Sequence, residues 1–336
     1  MIAPLSIPSP NPEWQSFQIP MPWGVLTIHA YALCILVGII LAVIVTSRRL
    51  TKRGAEPGIV IDIALWAVPL GIIGARFYHV FTHPNDYFFE GANIWNPFEP
   101  GAIWNIWEGG NAIYGALLGG AVGVLIGCRL TGIRFLSFAD ALAPGLLLAQ
   151  AAGRLGNWFN HELFGAPTDL PWGLEIPSDN PAFPAGLADG TLFHPTFLYE
   201  IVWNLAGVAA ILLLERHFNL RWGRAFAVYL IWYGTGRAFL ESIRVDPSEM
   251  FLGVRVNVWA SFAAILVGVI MLFVLRRRHT GSEPTPYVPG REWKGPDAAL
   301  DSDETESDSD SLDNEVESEN IEGETAATSS RGSTTS

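Results

Sequence analysis

Seven apolar blocks dominate this chain, each close to the ~20 residues that cross a bilayer as a helix. They run over Val25–Thr46, Ile59–Phe81, Ala112–Leu130, Phe135–Trp158, His194–Leu214, Arg224–Ile243 and Val256–Leu275. An all-α, polytopic membrane protein with seven transmembrane helices follows. Several blocks carry Gly, Pro144, Arg76, Arg154 or Arg237. Such residues are tolerated at membrane depth where they face other helices or a wet cavity, so the bundle interior must be polar somewhere.

Positive charge sets the expected orientation, because Lys and Arg gather in cytoplasmic loops. The first 47 residues contain neither. Arg48, Arg49, Lys52 and Arg53 follow the first block, and Arg129 and Arg134 flank the third connection. Arg216, Arg221 and Arg224 mark the fifth, and Arg276, Arg277 and Arg278 close the last block. The second and fourth connections have no Lys or Arg. The amino terminus is thus expected outside and the carboxyl terminus in the cytoplasm. A cleaved signal peptide is not expected, since the start lacks a basic region and is broken by Pro4, Pro8, Pro10 and Pro12.

Three regions result: an extracytoplasmic amino-terminal segment (1–24), a membrane core (25–279) and a tail (280–336). The tail holds 15 acidic against 3 basic residues, while the core is nearly neutral with 18 against 17. So polar a segment cannot offset its ordering entropy and is expected to be a disordered cytoplasmic brush. Its deletion from Gly281 onward is expected to be tolerated. Cys34 and Cys128 fall inside apolar blocks at different depths, which suggests neither a disulfide nor a metal site. No zinc spacing, phosphate loop or dinucleotide loop occurs, and nothing points to nucleic acid or a cofactor. The absence of an obvious internal repeat counts against inverted-repeat transporters.

The chemistry lies among polar residues in unexpected places. Arg76, Arg154 and Arg237 sit at the outer ends of the second, fourth and sixth blocks, with Arg244 and Arg255 nearby. A guanidinium at that depth is costly unless paired, and its planar fork suits the phosphate of an anionic lipid. The densest run is Gly153-Arg154-Leu155-Gly156-Asn157-Trp158-Phe159-Asn160-His161-Glu162-Leu163-Phe164-Gly165. There Arg154 and Asn157, three apart, share a helix face, and Glu162 follows at the membrane surface. Arg154 can equally pair with Glu162 or Asp140 and only hold helices together. Tyr233, Arg237, Glu241 and Arg244 form a second helical stripe, compatible with a site or with a structural ladder. His194-Pro195-Thr196-Phe197-Leu198-Tyr199-Glu200 opens the fifth block, with His194 either an interfacial histidine or a site residue.

These motifs carry a resemblance. The run Gly153–Gly165 is similar to the signature G-R-x-G-N-F-x-N-x-E-x-x-G of the prolipoprotein diacylglyceryl transferases, with Trp158 for the usual Phe. His29-Ala30-Tyr31-Ala32, Gly74-Ala75-Arg76, His194–Glu200 and Tyr233–Arg237 match its shorter motifs in order, over about residues 20–278. One departure is Tyr114, in Ile113-Tyr114-Gly115-Ala116, where many members have a histidine. Tyrosine is a poor general base at neutral pH, so His29, His194 or Glu162 would serve if a base is needed.

The resemblance implies transfer of the diacylglyceryl group of phosphatidylglycerol to the lipobox cysteine thiol of a preprolipoprotein, with release of glycerol 1-phosphate. It implies a multi-pass plasma-membrane enzyme whose site faces the extracytoplasmic leaflet and needs no metal or cofactor. Arg154, Arg237, Tyr233 and Tyr114 would be catalytic. Arg154, Asn157, Glu162, Tyr31, His29, Arg76, His194, Glu241 and Arg244 would bind the lipid. An outer-leaflet protein that binds or transports anionic lipid is the alternative.

Overall fold

The computed structural model describes residues 6–22, 24–89, 95–96, 101–106, 109–245, 250–279 and 281–295. Seven long helices form the body among them: α1 (Ala30–Thr51), α2 (Ile59–Thr82), α3 (Ile113–Thr131), α4 (Phe135–Phe159), α5 (Thr196–Phe218), α6 (Arg224–Glu241) and α7 (Val256–Arg278). Six are long and apolar enough to cross a membrane; α6 falls short because the residues that stud it, Arg224, Arg237 and Glu241, dilute its apolar face. Leu65, Leu117, Val202 and Leu266 are each more than half exposed on the outside of the bundle, while Asp140 and Glu241 are buried within it. That distribution is inverted relative to a protein folded in water.

Helix approach is set by small residues. Along α3, Gly115, Gly119, Gly123 and Gly127 recur every four residues, and a Cβ at any of them would collide with the backbone of α2 at Gly74, Leu70, Trp66 or Ile63. Close backbone contact of this kind drives helix association where lipid is as apolar as the side chains. On the other side of the bundle α5 and α6 meet through Trp203 and Trp232, whose rings stack at 4.7 Å. Each indole N–H donates to the other residue's carbonyl, at 3.1 and 3.0 Å.

The first block starts later as a helix than its hydropathy suggests. Residues Gly24–His29 are a strand, β2, paired antiparallel with β1 (Ser16–Met21) in the register Phe17↔Ile28 and Ile19↔Leu26. Phe17, Ile19 and Met21 in β1 and Leu26 and Ile28 in β2 alternate with a period of two and share one face of the hairpin, with Val25 on the other. Beyond α4, the chain forms a small head with β3 (Leu174–Glu175) and β4 (Leu192–Phe193), packed around Phe164, Leu174, Ile176 and Phe193. A second short hairpin, β5 (Met250–Phe251) with β6 (Val254–Arg255), leads directly into α7.

The basic ends of the helices gather at one end of the body. Arg49 of α1 and Arg53, just beyond its end, both reach Glu215 of α5 at 2.7 Å. Arg134 lies over the Trp222 ring, which stacks on His279 at 4.2 Å. Asp140 accepts hydrogen bonds from the amides of Gly223 (2.7 Å) and Phe226 (2.9 Å) and so caps the start of α6. Asp140 is therefore not the partner of Arg154.

The segment 281–291 also differs from its composition-based expectation. It packs as a strap across this end of the body. Tyr287 is only 3% exposed inside the cluster of Leu50, Ile63 and Phe138, and its hydroxyl accepts from the Glu56 amide at 3.0 Å. Burial raises the pKa of this phenol. Glu283 accepts a hydrogen bond from the Ser137 hydroxyl, and Arg291 donates to the last carbonyls of α3, Arg129 and Leu130, at 2.6 Å each. The rest of the expected acidic brush, 296–336, lies outside the described residues. A deletion from Gly281 would remove these contacts along with the acidic residues beyond them. A chain ending after Gly295 should melt in detergent at the same temperature as the whole chain. One ending at Thr280 should melt lower, and Tyr287→Ala alone should cost about 3 kcal/mol, in the range of large-to-small core changes. Equal melting of all these forms would contradict the strap.

Candidate functional site

At the opposite end, polar side chains from five helices join in one network. Its core is the ion-pair set of α4, α5 and α6. Arg154 of α4 places Nε 2.5 Å from Glu200 of α5, and Arg237 of α6 places Nη1 3.9 Å from the other oxygen of the same carboxylate. Arg237 also reaches Glu241, one turn further along α6, at 3.0 Å. Glu241 is 1% exposed and further receives Arg244 at 3.5 Å, Arg255 at 3.3 Å and the Asn257 amide at 3.1 Å. An isolated carboxylate at such depth would be untenable; three guanidinium groups and an amide offset its desolvation.

The network extends in both directions. From Arg154, Nη1 donates to the Asn157 side chain at 3.0 Å, and Asn157 donates to Glu162 at 2.7 Å. Asn160 donates to Glu162 at 3.3 Å. Glu162 stands between His161 and Leu163, both in the left-handed region with φ of 53° and 59°. Such strain persists only where surrounding contacts enforce it. Here the His161 ring is held at 2.9 Å from the Pro10 carbonyl, and the Thr196 hydroxyl donates to the Leu163 carbonyl. From Glu241 the chain continues through Asn257 of α7 to Tyr114 of α3, whose hydroxyl donates to Asn257 at 3.0 Å.

The structure thus joins Arg154, Asn157, Glu162, Arg237, Glu241, Arg244 and Tyr114. Tyr31 lies beside them, its ring filling the space that a Cβ on Gly156 would need. Tyr233 is one turn from Arg237 and stacks on Tyr229 at 5.9 Å. Three expected site residues stand apart. His29 is exposed at the start of α1 and is joined to none of the network. His194 bonds to the Tyr199 hydroxyl at 3.1 Å, which in turn accepts from Trp172 at 3.0 Å, and this chain braces the head. Arg76 is enclosed by backbone: its nitrogens donate to the carbonyls of Ala102 (2.7 Å), Ile103 (2.6 Å), Gly109 (2.8 Å) and Gly110 (3.0 Å), and it lies over the Tyr87 ring. That guanidinium ties the second connection to α2. Sequence reasoning had not placed Glu200, Asn257 or Arg255 in the site. Glu200 closes the motif that begins at His194, and a carboxylate inside an apolar block, which needs a cationic partner, was the available signal.

Fold and site together define a multi-pass helical membrane protein with an ion-paired arginine centre at one end of its bundle. Residues 18–274 match the family model described as prolipoprotein diacylglyceryl transferase. The chain is 68% identical over 302 residues to the phosphatidylglycerol–prolipoprotein diacylglyceryl transferase of Leifsonia xyli subsp. xyli, covering 90% of each chain. It is 47% identical to phosphatidylglycerol–prolipoprotein diacylglyceryl transferase 2 of Streptomyces coelicolor (80% of this chain, 82% of the relative) and 44% identical to the Bifidobacterium adolescentis protein of the corresponding name (82% of each). The chain belongs to the prolipoprotein diacylglyceryl transferase family.

Tyr114 and Asn257 should behave as one unit. Tyr114→Phe should lower thermal stability modestly, by about 1 kcal/mol for a neutral hydrogen bond; Asn257→Leu should cost more, because it also strips the amide from Glu241, and the double variant should be little worse than Asn257→Leu alone. Fully additive losses would show that the two side chains act independently.

Proposed function

We propose that the protein transfers the diacylglyceryl group of phosphatidylglycerol to the lipobox cysteine of an exported preprolipoprotein, with Arg154 and Arg237 holding the lipid phosphate. Family membership and the 68% identical relative support the reaction. The single observation that carries the site is the convergence of two arginines, from α4 and α6, on one buried carboxylate.

In the reaction the thiolate sulfur attacks the glyceryl carbon attached to the phosphate ester. A C–S bond forms and the C–O bond breaks, the electron pair leaving on the phosphate of glycerol 1-phosphate. The thiol proton is given up on the way, since the thiolate is the nucleophile. Charge grows on the phosphate oxygens as the bond breaks, and guanidinium groups fixed beforehand stabilise it without reorganisation. Among the described residues, Arg154 spends Nε on Glu200 and Nη1 on Asn157, which leaves Nη2 as a donor for an arriving anion. Asn157, Glu162 and Tyr31 line the same region and would orient the glycerol headgroup. Of the three alternatives to Tyr114 as base, Glu162 alone is joined to the arginine pair. An apolar groove of about 510 Å³ along α5 and α6, lined by Leu198, Val202, Trp203, Trp232 and Leu240, suits an acyl chain.

The same reading has seven spans with the amino terminus outside, α6 crossing inside the bundle where its polar face is covered. Its support is the gathering of Arg49, Arg53, Arg134 and Arg291 at the end opposite the arginine centre. The site then opens to the extracytoplasmic leaflet of the plasma membrane, where lipobox cysteines emerge after export.

Lys at position 154 or 237 keeps the charge but loses the planar fork. Arg154→Lys and Arg237→Lys should each insert and melt normally while transfer of radiolabelled glycerolipid to a lipobox peptide falls by about ten-fold to several thousand-fold, the equivalent of one or two charge-assisted hydrogen bonds. Near-normal turnover by both would remove the phosphate clamp. For orientation, cysteine at position 179 should react with an impermeant reagent added to intact cells and cysteine at position 52 should not. Equal labelling would overturn the topology.

A further inference from the structure

The carboxylate between the two arginines has a task beyond holding helices together. Glu200 is 7% exposed, comes from α5, and is the one acidic partner of Arg154 among the described residues. Its second oxygen faces Arg237. The reaction changes the charge of what those arginines hold. Phosphatidylglycerol carries a phosphodiester with one negative charge, whereas glycerol 1-phosphate is a monoester whose second proton dissociates near pH ~6. An arginine pair without a counter-charge would therefore bind the leaving product more tightly than the substrate and would be slow to release it.

We infer that Glu200 is a positioning residue that fixes the Arg154 and Arg237 guanidinium groups and offsets their charge, so that the site holds the lipid phosphate yet lets the glycerol phosphate product go. The geometry favours this over a purely structural bridge. Trp203 and Trp232 already lock α5 to α6 two turns away or less, through stacking and two reciprocal hydrogen bonds. Asp140 and the Thr196 hydroxyl supply further anchors for α6 and for the start of α5. The inference rests on the phosphate clamp proposed above, and the arginine variants test that clamp separately.

The test is product inhibition. Purified Glu200→Gln protein, with the isosteric amide, is assayed for transfer to a lipobox peptide in the presence of added glycerol 1-phosphate. The inhibition constant should fall by about tenfold, kcat should drop, and the KM for phosphatidylglycerol should not rise, because removing a negative charge beside the anion strengthens its hold. Glu200→Asp keeps the charge but withdraws it by one methylene from Arg237, and should fall between the two. Should the Gln variant not fold, the Asp variant decides: an inhibition constant equal to wild type overturns the inference. So does a Glu200→Gln enzyme whose inhibition constant is unchanged or raised while its melting temperature falls. If that result appears beside inactive Arg154→Lys and Arg237→Lys, the clamp stands and only the role of Glu200 is lost; active Lys variants would instead remove the clamp.

Discussion

Water is unavailable inside a bilayer bundle to solvate a charge, so every ionised side chain there needs a partner supplied by another element. That constraint organises the end of the bundle that carries the arginine centre. Glu200 and Glu241 are almost fully buried, and each is satisfied by arginines from more than one position on the chain. Buried pairs of this kind contribute little net stability, because desolvation consumes most of the Coulombic gain, yet removing one partner costs about 3–5 kcal/mol. Their effect is to fix geometry: Glu200 links α5 to α4 and α6, and Glu241 links α6 to α7 through Asn257. The guanidinium groups are thereby held in position before any lipid arrives, which is the condition for electrostatic stabilisation of a leaving phosphate.

The remaining parts of the structure keep that arrangement in register. The glycine seam brings α3 against α2 at backbone contact and delivers Tyr114 to Asn257. Arg76 gathers four carbonyls and pins the connection between the same two helices. At the other end, Glu215 joins Arg49 of α1 and Arg53 just after it to α5, and the 281–291 strap lays Tyr287 and Glu283 over the helix ends. The seam holds α3, which carries Tyr114, and the Glu215 pairs hold α5, which carries Glu200, so contacts outside the arginine centre support two of the helices that build it.

Helix positions were legible in the sequence because apolar blocks bounded by basic residues leave few alternatives; α2, α3 and α4 begin and end within a residue or so of their expected limits. The first block misled because Val25, Leu26 and Ile28 are as apolar as the helix they precede, although the two-residue alternation and the prolines around Met21 were a strand signal. Arg154 and Arg237 stand out in the sequence since a guanidinium in an apolar block is conspicuous, and the structure joins both to Glu200. Arg76 is equally conspicuous yet binds backbone, and nothing local distinguishes it: the carbonyls that fill its donors lie 26 to 34 residues away. Glu200 and Asn257 were passed over for the complementary reason, as their partners come from other helices. The strap was hidden by an acidic composition that describes the rest of the tail but not Tyr287.

The central claim is that the lipid phosphate sits between Arg154 and Arg237. A high-resolution structure of the protein in lipid with a phosphonate analogue of phosphatidylglycerol, whose C–P bond resists transfer, tests it most directly. The account expects phosphonate oxygens within hydrogen-bond distance of both guanidinium groups, with the glycerol headgroup toward Asn157 and Glu162 and an acyl chain along the α5–α6 groove. A phosphonate bound instead at Arg76 or at the basic end of the bundle, with the Arg154–Glu200–Arg237 set untouched, would contradict it.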